Sequence, residues 1–221
     1  MTRSNLIIVV LIVAMGLVGQ PVDAAGTGKG GGHGKGKGSA GCGCAAAINE
    51  RFENIPAEDL NDAERAAVIR LRQDEKFARD VYVALGEKWS LRIFDNIALA
   101  EQRHMDLVAL LIDRYELEDP ITDDATGVFT DPQLAALYAE LVAKGMASLE
   151  GALRVGATFE DFDLVDVDKM IEASDNADIL LVANNLAKGS RNHLRAFTKV
   201  LAKKGYEPYS AQYLTQDRVD E

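Results

Sequence analysis

From about residue 57 onward the chain repeats apolar positions in steps of three and four, with few prolines to interrupt them. That period marks helices rather than strands. The first predicted helix starts at Asn61 or Asp62, where Asn61 and Glu64 have capping-box spacing, and runs to near Gly86. Its inward stripe is Val68, Leu71, Glu75, Ala78, Tyr82 and Leu85. The second runs from about Ser90 to Leu117, with the stripe Ile97, Glu101, His104, Val108, Leu111 and Tyr115. A long connection over 118–148 follows. It carries a short helix, about 131–144, opened by "TDP" and stopped near Gly145. The third long helix spans about 148–173, with Leu153, Ala157, Glu160, Leu164, Val167 and Ile171 inward, and Gly151 and Gly156 weaken its first turns. The fourth begins near Asn176 and ends before Gly205; its stripe is Ile179, Val182, Leu186, Gly189, His193, Phe197 and Val200.

Each stripe contains at least one polar residue of a metal-ligating type. Glu75, Glu101, His104, Glu160 and His193 sit on stripes, and Asp163 shares the face of Glu160 by i+3 spacing. Their levels agree. With the first interhelical turn centred near residue 88, Glu75 lies 13 residues before it and Glu101 13 after. With the second turn near 175, His193 lies 18 residues after it, opposite position 157. Glu160 is close to that level; Glu150 lies about 10 Å too far along the axis at 1.5 Å per residue.

A single buried acid is ordinarily salt-bridged, and a single stripe histidine is ordinarily a hydrogen-bonded core residue. Four uncompensated carboxylates in one core are too costly for that reading. Arg79, one turn from Glu75, can neutralise only one of them. Two divalent cations balance Glu75, Glu101, Glu160 and Asp163, with His104 and His193 giving one imidazole per ion. This donor set suits iron, or manganese, better than zinc. Tyr82, one heptad after Glu75, reads as a core-edge tyrosine or as a redox or hydrogen-bonding neighbour of the site. Arg79, Asp80 and Asn192 are candidates for the surrounding shell.

The N-terminal segment changes the setting. "MTRSNLIIVVLIVAMGLVGQPVDAAG" has a basic start, a short apolar run and small residues near its end, which predicts a signal peptide over 1–24, cleaved after Ala24. The run is short for a membrane span, so no membrane attachment is expected after cleavage, and the protein is expected to be exported, periplasmic or extracellular. Residues 25–56 read as a Gly/Lys-rich flexible linker, 57–205 as the bundle and 206–221 as an extended C-terminal strap whose tyrosines cap the bundle. Cys42 and Cys44, both in the linker, are too close for an unstrained mutual disulfide; intermolecular pairing, a soft-metal contact with His33 and lipid attachment remain open. From position 45 on there are 20 basic and 34 acidic residues, a net charge of −14. Such acidity argues against a nucleic-acid partner and suits cation handling.

In this setting "DEKFARDVY", "EQRHMDLV", "GATFEDFDLVDV" and "NNLAKGSRNHLRAF" resemble the ferritin-like superfamily of di-iron carboxylate four-helix bundles, in an exported branch. Such proteins draw one Glu from each of two helices and Glu-x-x-His from each of the other two. Here "EQRH" supplies a complete motif, but "SRNH" has Ser190 where Glu is expected, and Asp163 is the candidate replacement. The resemblance implies an all-α, ferritin-like four-helix bundle with one long crossover connection containing a short helix. It implies a six-residue site (Glu75, Glu101, His104, Glu160, Asp163, His193) for two Fe ions. The implied chemistry is oxidation of Fe(II) by O2 or peroxide, of oxidase or peroxidase type. Iron capture or storage without turnover, which needs a homo-oligomeric shell, and a metal-free bundle acting as an interaction module are the alternatives.

Overall fold

The computed structural model describes residues 41–221. The expected signal peptide and the part of the linker before Gly41 lie outside the described residues. Among the described residues there are helices and no strands: α1 Gly41–Glu53, α2 Asp62–Trp89, α3 Arg92–Arg114, α4 Pro132–Ala147, α5 Leu149–Ala173, α6 Ala177–Lys204 and α7 Gln216–Asp220. None is long and apolar enough to cross a membrane.

The ends of the helices follow local chemistry. Asn61 accepts from the backbone N–H groups of Ala63 and Glu64, and Glu64 accepts from the N–H of Asn61, a complete capping box. Asp131 and Ser148 cap α4 and α5 through their side chains, and Pro132 takes the first helical position of α4. α6 stops at Gly205, whose φ of 77° few other residues adopt without strain. α2 continues past Gly86 to Trp89, because the Trp89 indole N–H reaches the Gly145 carbonyl (2.9 Å) and ties this end to α4.

The long helices form a bundle. α2 packs on α3 and α5 on α6, while α2 meets α5 and α3 meets α6, and α4 covers α5 and α2. Phe77, Phe94, Phe197, Leu85, Leu111, Leu153 and Leu186 fill the interior with almost no exposure. α5 passes through Gly156 unbroken, and glycine is needed there because a Cβ would meet the Phe197 ring at 2.4 Å.

Three peripheral segments are pinned. The connection between α3 and α4 is held by a buried knot: Asp80 accepts from Lys76, Arg79 and the Gly127 N–H (2.9 Å), and Lys76 also donates to the Ala125 carbonyl (3.0 Å). The C-terminal strap closes over Asp161, which accepts from the Tyr209 hydroxyl and the backbone N–H groups of Gln212, Tyr213 and Leu214. The strap is not wholly extended, because α7 forms its end. The linker reading of 25–56 also extended too far. From Gly41 the chain is helical, Phe52 is buried, and Arg114 lies 3.8 Å over its ring and donates to the Phe52 and Ile55 carbonyls. Composition shifts from Gly/Lys to "CAAAINERF" at that point, and the apolar face so created finds a partner on α3.

Candidate metal centre

The polar stripe residues meet in the middle of the bundle. Glu75 comes from α2, Glu101 and His104 from α3, Glu160 and Asp163 from α5, and His193 from α6. All six are buried. Five of them converge as two trios, Glu75–Glu101–His104 and Glu101–Glu160–His193; in each, one ligand atom per residue lies within 4.8 Å of the others. Glu101 belongs to both. Its Oε2 is 2.8 Å from His104 Nδ1 and its Oε1 is 2.9 Å from His193 Nδ1. The outer carboxylates complete the row, with Glu75 Oε2 at 3.2 Å from His104 Nδ1 and Glu160 Oε2 at 3.5 Å from His193 Nδ1. The imidazole centroids are 5.7 Å apart.

These side chains satisfy one another only in part: His104 Nδ1 and Glu75 Oε2 are hydrogen-bonded at 3.2 Å. Glu75 Oε1, Glu101 Oε1 and His193 Nδ1 are buried without a hydrogen-bond partner. Glu101 Oε1 and His193 Nδ1 lie 2.9 Å apart without forming a hydrogen bond. Orphaned buried polar atoms cost of order 1–3 kcal/mol each, so a cluster of them needs an explanation.

Asp163 stands beside the trios. Its Oδ2 accepts from Ser190 Oγ (2.8 Å), which also lies 3.1 Å from the Leu186 carbonyl. The serine that takes the expected glutamate position on α6 therefore hydrogen-bonds the acid on α5. Glu150 is far from this chemistry, paired with Arg154 one turn along the same helix.

Protonation is strongly perturbed. Burial pushes the Glu75 carboxyl up to about 8 against the pull of His104. Burial, then the charges of Glu75 and Glu160, push Asp163 well above the carboxylate range. Glu160 is raised by burial and by Glu101. For Glu101 burial acts upward, but His193 and His104 outweigh it and hold the carboxyl below the usual range. Burial opposes charging of both imidazoles, yet Glu101 and Glu160 lift His193 to about 10, and Glu75 and Glu101 lift His104 well above its ordinary value. Without another cation, protons hold this cluster together.

Residues outside the six matter as well. Tyr82 is not a core-edge residue: it is fully buried and its hydroxyl donates to Glu160 Oε1 at 2.6 Å. Its signal was the seven-residue spacing from Glu75. Gly189 lies against His104, where a Cβ would meet Cε1 and Nε2 at 2.4 Å. A glycine on an inward stripe in mid-helix was its signal. By contrast, Arg79 is spent on Asp80, Gln102 and Asp124, Asp80 on the loop knot, and Asn192 accepts from exposed Arg195. None of these three is in hydrogen-bonding contact with the six.

The same helical segment is found elsewhere. An uncharacterized protein, MJ0754, from Methanocaldococcus jannaschii is 45% identical over 172 residues, covering 78% of this chain and 92% of its own. The crystal structure of that hypothetical protein superposes with a TM-score of 0.73 at 45% identity, over 76% of this chain and 95% of the other. The model of the uncharacterized protein domain DUF2202 matches residues 46–221, the whole bundle and its strap, and the chain therefore belongs to the DUF2202 family.

Proposed function

We propose that the centre holds two metal ions, one in each trio, with Glu101 shared between them, and that the ions are iron, with manganese the nearest substitute. The observation that carries this is the pair of buried carboxylate–imidazole trios in which Glu75 Oε1, Glu101 Oε1 and His193 Nδ1 are left without hydrogen-bond partners. Four carboxylates, counting Asp163, match the charge of two divalent cations, and carboxylate with imidazole is a donor set for iron or manganese. Bridging by a carboxylate is natural for Glu101, since its two oxygens face different imidazoles. The ferritin-like reading of the bundle, two helical hairpins joined by one long crossover, is part of this proposal.

A pair of Fe(II) ions held there supplies two electrons, so that 2 Fe(II) + H2O2 + 2 H⁺ gives 2 Fe(III) + 2 H2O, with O2 as the other oxidant. The protein's own contribution is binding and exclusion. Glu75, Glu101, Glu160 and the imidazoles orient the ions, and Phe94, Phe197 and Leu186 keep bulk water from the interior. We place this oxidase or peroxidase-type activity in an exported protein, following the signal-peptide reading of residues 1–24.

The test is an anaerobic Fe(II) titration of the full chain followed by O2 or H2O2. About two Fe(II) per chain are expected, then ferric near-ultraviolet absorbance with matching oxidant consumption. Binding without consumption points to iron capture instead. No Fe(II) bound would end the metal reading and leave a structural bundle.

A further inference from the structure

Helix α3 buries Glu101 and His104 on its inner side and leaves Arg92, Asp95, Leu99, Arg103 and Asp106 exposed on its back. At 3.6 residues per turn these five positions fall within about 80° of one another, so they form one line along the helix. Leu99 stands at the middle of that line and is 59% exposed; among the described residues Val128 is the other large hydrophobic side chain left in water. A single exposed leucine means little. The order of charge around it singles the stripe out: plus, minus, leucine, plus, minus. Arg92 with Asp95, and Arg103 with Asp106, have the spacing of pairs within one helix. Yet none of the four is in an ion pair among the described residues, and Asp106 accepts from the Gln102 amide at 3.0 Å. Beside Leu99 the crease between α2 and α3 opens into a groove of about 590 Å³, lined by Val83, Gly86, Glu87, Ala98, Leu99 and Gln102 among others.

We propose that this stripe is a self-association surface, on which a second copy of the chain lays its own α3 antiparallel about a two-fold axis at Leu99. In such a pair a residue that precedes Leu99 by some number of positions faces the partner residue that follows Leu99 by the same number. Leu99 then meets Leu99. Asp95 meets Arg103 about 6 Å from the axis, and Arg92 meets Asp106 about 10 Å from it, at 1.5 Å per residue. Both facing pairs are of opposite sign, and the axis repeats each, so that ion pairs flank one apolar contact on both sides. A parallel pairing in register would set like charges together, so the pattern also fixes the direction. The groove between α2 and α3 receives the partner's leucine and takes both leucines out of water. The acidity of the whole chain does not forbid this. Charges farther away than the screening length, about 8 Å at physiological salt, count for little, and the stripe itself is balanced. The surface lies on the back of the helix that carries Glu101 and His104, so the inference is independent of the metal reading.

The test is sedimentation equilibrium of the full chain and its variants. The unaltered chain should form a dimer of the 23.9 kDa protomer at low salt. Its dissociation constant should rise at least about tenfold near 1 M salt, where the screening length falls to about 3 Å. Leu99→Asp sets two carboxylates at the axis and should leave a monomer. Asp95→Arg and Arg103→Asp each put like charges opposite one another, and each alone should dimerise at least about a hundredfold more weakly. Mixed one to one, these two variants should dimerise again, because one chain then presents two arginines and the other two aspartates at the same levels. All the substituted positions are exposed, so the fold should be kept, as judged by circular dichroism. If either variant does not fold, Arg92→Asp with Arg→Asp reversed at its partner position, Asp106→Arg, makes the same exchange farther from the axis. A wild-type chain that stays monomeric at low salt, a dimer that survives Leu99→Asp, or a mixture of the two charge variants that stays monomeric overturns the inference.

Discussion

Gly189→Ala tests the centre through a residue that ligates nothing. A Cβ at this position would stand 2.4 Å from both Cε1 and Nε2 of His104, where ordinary contact begins near 3.4 Å. The imidazole must therefore retreat by about 1 Å, several times the roughly 0.2 Å tolerance of metal–ligand distances. Its Nδ1 already lies 2.8 Å from Glu101 and 3.2 Å from Glu75, so the ring has little room on that side. Overpacking costs about 1–3 kcal/mol. Replacing a mid-helix glycine by alanine returns about 1 kcal/mol of helix propensity. The net destabilisation is about 0–2 kcal/mol, so the variant folds. Metal binding is affected far more: the ion on the His104 side should bind about a hundredfold more weakly, while the His193 side is largely retained. Isothermal titration with Co(II) or Mn(II), paired with a thermal melt of the metal-free protein, separates the two effects. Two ions bound with wild-type affinity in a folded Gly189→Ala protein would show that His104 is not held between Gly189 and the ligand carboxylates as described.

The remaining predictions concern the bridge, the sixth acid, protons and the strap. Glu101→Ala should abolish or cripple both binding steps and His104→Ala at least one, while Glu150→Ala, which only frees Arg154, should leave both intact by metal analysis. Asp163→Asn should weaken one ion markedly and Ser190→Ala much less, since the serine only hydrogen-bonds the acid; equal affinities in Asp163→Asn would remove this residue from the ligand set. Glu75 (from 4.5 to about 8) and His193 (from 6.5 to about 10) are both raised, so the stability they give the metal-free fold is fully present only below those ordinary values and is lost as pH rises through the raised ones. The metal-free melting temperature should accordingly fall between about pH 4.5 and 10, through Glu75 first and His193 later, and metal loading at pH 7 should release protons, measured as a dependence of titration heat on buffer ionisation enthalpy. Asp161→Asn removes the charge that gathers four donors from the strap and should cost about 3 kcal/mol, with proteolysis of residues 206–221 as the readout; an unchanged cleavage rate contradicts the strap's anchoring.

The period of apolar positions was enough to locate the long helices, because each must bury one face and a 3.6-residue turn leaves that face visible as a stripe. Polar residues on such a stripe are conspicuous for the same reason, so Glu75, Glu101, His104, Glu160 and His193 could be picked out one by one. Antiparallel geometry with a fixed rise per residue then set Glu160 rather than Glu150 level with His193. Other features depend on contacts between residues far apart in the chain, and no local pattern carries them. Arg79 is one helical turn from Glu75 yet pairs with Asp80 and Asp124, because the connection after α3 folds back onto that side of α2. Tyr82 bonds Glu160 across 78 positions, and Gly189 makes room for a ring on another helix. The helix at Gly41–Glu53 forms where Phe52 finds Arg114. Along the sequence one reads which face of each helix turns inward. Which oxygen of each carboxylate stays free is decided only when four helices converge, since that depends on the neighbour that reaches it first.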